Sequence, residues 1–114
     1  MSFWRKEVID FCLDRETLRE VEEQRAWITR EPANPRPYKN LAQLYRIVGR
    51  QDEALGLLLE AVRLGPAFGE AHVELAQIYA VRGDYRAAWR HARAAASCGN
   101  PAAAELFERY AIPE

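Results

Sequence analysis

An all-α stack of antiparallel helix pairs, an α-solenoid, is the fold class this sequence predicts, and three observations predict it. The first is a repeat. Leu41, Ala42, Tyr45, Gly49, Ala54 and Ala61 recur as Leu75, Ala76, Tyr79, Gly83, Ala88 and Ala95, always at an interval of 34, as 79 − 45 = 34 shows. The second is the spacing inside each unit, where Tyr38, Leu41, Ala42 and Tyr45 fall at i, i+3, i+4 and i+7 and so share one buried helical stripe. The third is punctuation: Gly49 and Gly83 interrupt the helical runs, and Gly65-Pro66 and Gly99-Asn100-Pro101 close them. A fixed interval of this length with helical spacing inside it describes a helix-turn-helix unit stacked on a copy of itself.

Taken in order, residues 1–34 read as a helical pair that covers the open end of the array. Ser2 to Leu13 carries an apolar stripe of Trp4, Val8, Phe11 and Cys12; Thr17 to Arg30 carries one of Leu18, Val21 and Ile28, with Thr17 and Glu20 as a capping box. Residues 35–68 form the first full repeat. Asn34 is its N-cap, with Pro35 or Pro37 in the first turn, where the missing amide is harmless. Gly49 ends that helix, Asp52 is expected to cap the next, and Ala54, Leu58 and Ala61 point inward from it. Residues 69–102 repeat the plan with Leu75, Ala76 and Tyr79, a corner at Gly83 and Asp84, then Ala88, Ala92 and Ala95. Small residues at Ala42 with Ala54, and at Ala76 with Ala88, let two backbones approach where the helices cross. Residues 103–114 then supply a capping helix, spanning Ala102 to Ala111, with Leu106, Phe107 and Tyr110 folding back.

Composition narrows the function classes. A chain of 114 residues with 49 % apolar and 29 % charged residues is an ordinary globular domain, large enough to build a core without disulfides. Sixteen basic side chains face seventeen acidic ones, so the basic excess of a nucleic-acid wrapper is missing and a nucleic-acid partner is not expected. Met1 to Leu13 lacks the continuous apolar core of a signal peptide, and no run approaches a membrane span; the expectation is a cytoplasmic protein with no membrane partner. Cys12 and Cys98 have no Cys-x-x-Cys or Cys/His spacing and read as buried small hydrophobes rather than metal ligands.

These residues resemble the tetratricopeptide repeat family over about 60 % of the chain. The first repeat supplies Tyr38, Leu41, Ala42, Tyr45, Gly49, Ala54, Leu58, Ala61 and Pro66 to that family's pattern. The second departs from it with His72 in place of an aromatic, Ala92 in place of a bulky residue, and Pro101 one position late. The resemblance implies a right-handed superhelical array whose concave face, lined by the first helix of each repeat, binds a peptide or helix of a protein partner. Residues turned away from the buried stripe would line it: Arg36, Lys39, Asn40, Gln43 and Arg46, then Glu70, Val73, Glu74, Gln77 and Ala80, a groove half basic and half acidic. Chaperone-binding members hold a terminal carboxylate with Lys and Asn residues. Lys39 and Asn40 match that clamp in part, whereas Gln43 and Glu74 depart from it, and Glu74 would repel a carboxylate.

Two further features stand out. The helix around Ala54 to Leu64 holds Leu55, Leu57, Leu58, Leu59 and Val62, which predicts burial nearly all round; cover for Leu57 and Leu59 would come from the N-terminal helices or from a second subunit, giving a self-association scaffold as the alternative function. Arg86, Arg90 and Arg93 form a stripe at i, i+4 and i+7 that reads as solvent-facing charge, with Trp89 the one aromatic beside it. Nothing points to catalysis. His72 and His91 have no partner at metal spacing, and neither a phosphate loop nor a nucleophile with a base is visible, so no enzyme activity, metal or cofactor is expected.

Overall fold

The computed structural model describes residues 14–114, and expectations for Ser2 to Leu13, including Trp4, Val8, Phe11 and Cys12, lie outside the described residues. Six helices occupy the described chain: α1 (Arg15–Arg30), α2 (Pro35–Ile47), α3 (Gln51–Leu64), α4 (Gly69–Val81), α5 (Tyr85–Ser97) and α6 (Ala102–Arg109). Each packs against the next in antiparallel fashion, and α4 also touches α6. Alternate helices therefore stand side by side, which brings α2, α4 and α6 to one face of the array.

The corners show why the interval holds. Gly49 and Gly83 both adopt φ +82°, a left-handed conformation in which a Cβ is strained even though nothing stands within 4 Å of either position. Behind each glycine the same bond closes the helix: the Arg50 amide donates to the Tyr45 carbonyl (2.8 Å) and the Asp84 amide to the Tyr79 carbonyl (2.9 Å). Ala42, Ala54, Ala76 and Ala88 are fully buried at the crossings, so a larger side chain there would force the pairs apart, at about 1–3 kcal/mol. Gly65 meets a different demand. A Cβ on it would come within 3.0 Å of Pro35 Cγ, where the end of α3 presses on the start of α2.

The core lies in two clusters. Val21, Leu41, Tyr45, Leu58, Leu75 and Ile78 centre the first; Ala76, Trp89, Ala92, Ala103 and Phe107 centre the second. Ala92 takes the register position of Leu58, since 92 − 34 = 58, and the lost volume is supplied by Trp89, packed edge to face on Phe107 at 5.3 Å between ring centroids.

Several expectations are corrected. Asp14, not Thr17, caps α1, its carboxylate accepting from the Thr17 amide at 2.7 Å. Asp52 is not a cap: Arg50 stands at that position without a side-chain bond, and Asp52, inside the first turn, pairs with Arg82 at 2.6 Å. The register explains it, because the Asp84 cap of α5 maps to position 50 (84 − 34), two residues earlier. On α3 only Ala54, Leu58 and Ala61 are buried; Leu57 packs partly against the core, and Leu59 remains 40 % exposed. Trp89 is buried rather than beside the stripe in solvent. Cys98 is exposed, since it lies at the C-cap of α5 where the chain leaves the core. On α6, Phe107 folds inward, but Leu106 and Tyr110 point away, because eight helical residues present only one narrow face to α5.

Candidate protein-binding groove

The basic residues of α2 and the acidic residues of α4 face each other and join. Lys39 Nζ pairs with Glu70 Oε2 at 3.1 Å, Arg36 reaches the same carboxylate at 3.8 Å, and Arg46 meets Glu74 at 3.5 Å while also donating to the Gln77 side-chain oxygen at 3.4 Å. Asn40 turns the other way and donates to Gln24 on α1 at 3.2 Å. Instead of a groove with a basic half and an acidic half, the two helices carry a polar zipper whose members largely satisfy one another. Lys39 and Glu74 are buried in it, while Arg36, Gln43 and Glu70 stay exposed, and Val73 packs partly against the second core cluster. Burial pushes the Glu74 carboxyl above the usual carboxylate range, with partial offset from the Gln43 side chain and from the positive charges of Arg46 and Lys39.

Open space on this face lies toward the C-terminal ends of α2 and α4. A shallow depression of about 470 Å³ is lined by Gln43, Arg46, Ile47, Gln51 and Glu74. A second, of about 180 Å³, continues beside Arg46, Gln51, Ile78, Val81 and Arg82. Ile47 and Val81 border them at 78 % and 88 % exposure, the two most exposed large apolar side chains of the described residues. They hold one register position, 81 − 47 = 34. Sequence reasoning did not single out Ile47 and Val81, nor Gln51 at the start of α3. The signal that marks the two aliphatic residues is their recurrence two places before each corner glycine.

With this geometry in place, comparison with known proteins adds that residues 35–78 match the tetratricopeptide repeat. The chain carries a tetratricopeptide repeat. It is also similar to the TPR repeat-containing thioredoxin TTL4 of Arabidopsis thaliana, 36 % identical over 75 residues, which covers 66 % of this chain and 11 % of that protein. The chain thus spans a small fraction of that relative's length. A tetratricopeptide repeat is a protein–protein interaction module, and among the described residues no helix is long and apolar enough to cross a membrane.

The second helix pair of this tetratricopeptide-repeat chain holds a contact that spacing did not reveal. His72 on α4 and His91 on α5 approach Nδ1 to Nδ1 at 3.0 Å, and His72 Nε2 lies 2.8 Å from the Pro66 carbonyl. A carbonyl only accepts, so His72 donates through Nε2, its Nδ1 is the acceptor in the neutral ring, and His91 donates Nδ1–H into it. The first pair does the same job with a phenol: Tyr38 OH donates to the Pro32 carbonyl at 2.8 Å. Both tethers obey the interval, since 72 − 38 and 66 − 32 equal 34. His72 therefore replaces the aromatic of the pattern in function as well as place, clamping the start of its repeat. His91 stacks on Tyr79 at 5.6 Å. Burial, then the neighbouring His72 and Arg90, lowers its pKa to about 4.

Proposed function

We propose that the chain is an adaptor: the α2/α4 face receives a peptide or helix of a partner protein, by recognition without catalysis, in the cytoplasm. The observation that supports this reading best is the pair of exposed aliphatic residues set one repeat apart, Ile47 beside the depression lined by Gln43, Arg46 and Gln51 and Val81 beside the neighbouring one that shares Arg46 and Gln51. Such an arrangement suits an apolar anchor flanked by polar contacts, the anatomy of a helix or strand lying in a shallow groove. The zipper of Lys39, Glu70, Arg46 and Glu74 holds the two helices in fixed relation, so the partner bears most of the ordering entropy and affinity is modest.

The test is a photo-crosslinking amino acid placed at Gln43 or, as the contrast, at Leu59. Adducts with a partner protein at 43, abolished by Ile47→Asp and absent at 59, support the adaptor. Adducts confined to 59 refute it. Self-association, the alternative, rests on Leu59, because Leu57 is engaged with the core. Light scattering before and after Leu59→Glu decides it: a mass that falls from dimer to monomer supports the scaffold, and an unchanged monomeric mass removes it.

A further inference from the structure

The stripe on α5 is not bare charge, because the chain itself already occupies one end of it. Beyond α6 the backbone returns over α5, where the Trp89 indole Nε1–H donates to the Ile112 carbonyl at 3.0 Å and the Ile112 side chain packs against the second core cluster. Two residues on, the Glu114 carboxylate pairs with Arg93. The Arg93 guanidinium lies 5.2 Å from the centre of the Trp89 ring, which holds it in place for that contact. An apolar residue is thus seated beside Trp89, and an acid two positions later is caught by an arginine. Arg86 and Arg90 continue the same exposed face, and among the described residues neither forms an ion pair with an acidic side chain.

We infer that the outer face of α5 is a docking surface for an extended acidic segment of a partner protein, with carboxylates pairing to Arg90 and Arg86 in continuation of the seat that Glu114 marks at Arg93. The spacing fits. Along the helix the three positions are separated by about 6 and 4.5 Å, four and three residues at 1.5 Å each. Alternate residues of an extended strand are about 6.6 Å apart and point the same way, so acids at every second position meet successive guanidinium groups within the reach of an arginine side chain. Arginine suits the task, because its planar fork binds a carboxylate through two parallel hydrogen bonds. A nucleic acid would want an open ring for base stacking, and Trp89 is buried beneath Arg93. This surface is separate from the α2/α4 face, so the two readings stand or fall independently.

The experiment uses the full chain and a fluorescein-labelled hexapeptide of alternating Glu and Ser, followed by fluorescence anisotropy at about 50 mM salt, where surface charge is weakly screened. Arg86→Glu/Arg90→Glu should weaken binding about tenfold or more, Glu114→Gln should tighten it by freeing Arg93, and Ile47→Asp should leave it unchanged. The neutral pair Arg86→Gln/Arg90→Gln, with melting and helical signal retained, should give an intermediate loss. Equal affinity in the wild type and both double variants overturns the inference. So does tighter binding of a uridine hexaribonucleotide than of the acidic peptide.

Discussion

Lowering the pH from 7 to 5 should destabilise the protein through one hydrogen-bonded contact, and the size of the loss follows from the His72–His91 pair. His91 titrates at about 4 when folded and at 6.5 when free, so between these values the unfolded chain binds a proton that the folded chain refuses. Stability is therefore fully present above pH 6.5 and drains away as pH falls toward 4. The whole shift is worth roughly 3 kcal/mol at 1.36 kcal/mol per pH unit. The part falling between pH 7 and 5 is roughly 2 kcal/mol, a drop in melting temperature on the order of 8 °C for a domain of this size. Other groups act elsewhere or oppositely. Asp14 and Glu60 are held below their ordinary pKa values by hydrogen bonds from the Thr17 amide and the Arg63 guanidinium, so their contribution is lost only below pH 5. Glu74, raised by burial, favours the folded state as protons are added and works against the loss. Urea unfolding at pH 7, 6 and 5, followed by circular dichroism, measures the slope in the wild type and in His72→Tyr/His91→Leu, which installs in the second repeat the residues Tyr38 and Leu57 of the first. The double variant should lose about 2 kcal/mol less over the same interval. Equal slopes in both proteins would refute the reasoning.

Three further outcomes follow from the geometry. Gly83→Ala should destabilise by about 1 kcal/mol through backbone strain alone, with space for the methyl, whereas Ala111→Gly should stabilise by a similar amount because Ala111 sits at φ 52° in the last corner; thermal melts of both check this. Glu70→Ala should cost about 1–3 kcal/mol by leaving Lys39 buried without its partner, while Lys39→Met should come close to neutral, as equilibrium unfolding would show. Leu58→Ala should cost about 2–5 kcal/mol and Leu59→Ala less than about 0.5 kcal/mol, a contrast that measures which side of α3 holds the fold.

The fold was legible because its determinants are local and recur. Corner glycines, small residues at the crossings, Asn34 as a cap and proline at the ends each act within a few residues of chain, and the interval of 34 repeats them. Contacts between helices were not legible in the same way. Lys39 meets Glu70 and Arg46 meets Gln77, each 31 residues apart, one helical turn short of the interval, because a long side chain leans along its helix toward the neighbouring unit. Reading each helix by itself placed those charges in an open groove, although the register already set the two helices side by side. The histidine pair escaped notice for a related reason: its members are 19 residues apart on antiparallel helices, and only mapping them onto Tyr38 and Leu57 shows that they face each other. The cap at Asp14 was missed because Thr17 also fits a capping pattern, and geometry, not residue type, chose between them.

Whether a partner segment lies on the α2/α4 face is read out residue by residue by nuclear magnetic resonance. A peptide of twelve residues selected from a random library against the full chain would be titrated into isotope-labelled protein while the backbone amide shifts are followed. Shifts should concentrate on residues 43–51 and 77–82, and Ile47→Asp should abolish them. Saturable binding that instead moves the amides around Leu59 or Leu106, leaving Ile47 and Val81 unperturbed, would contradict the account.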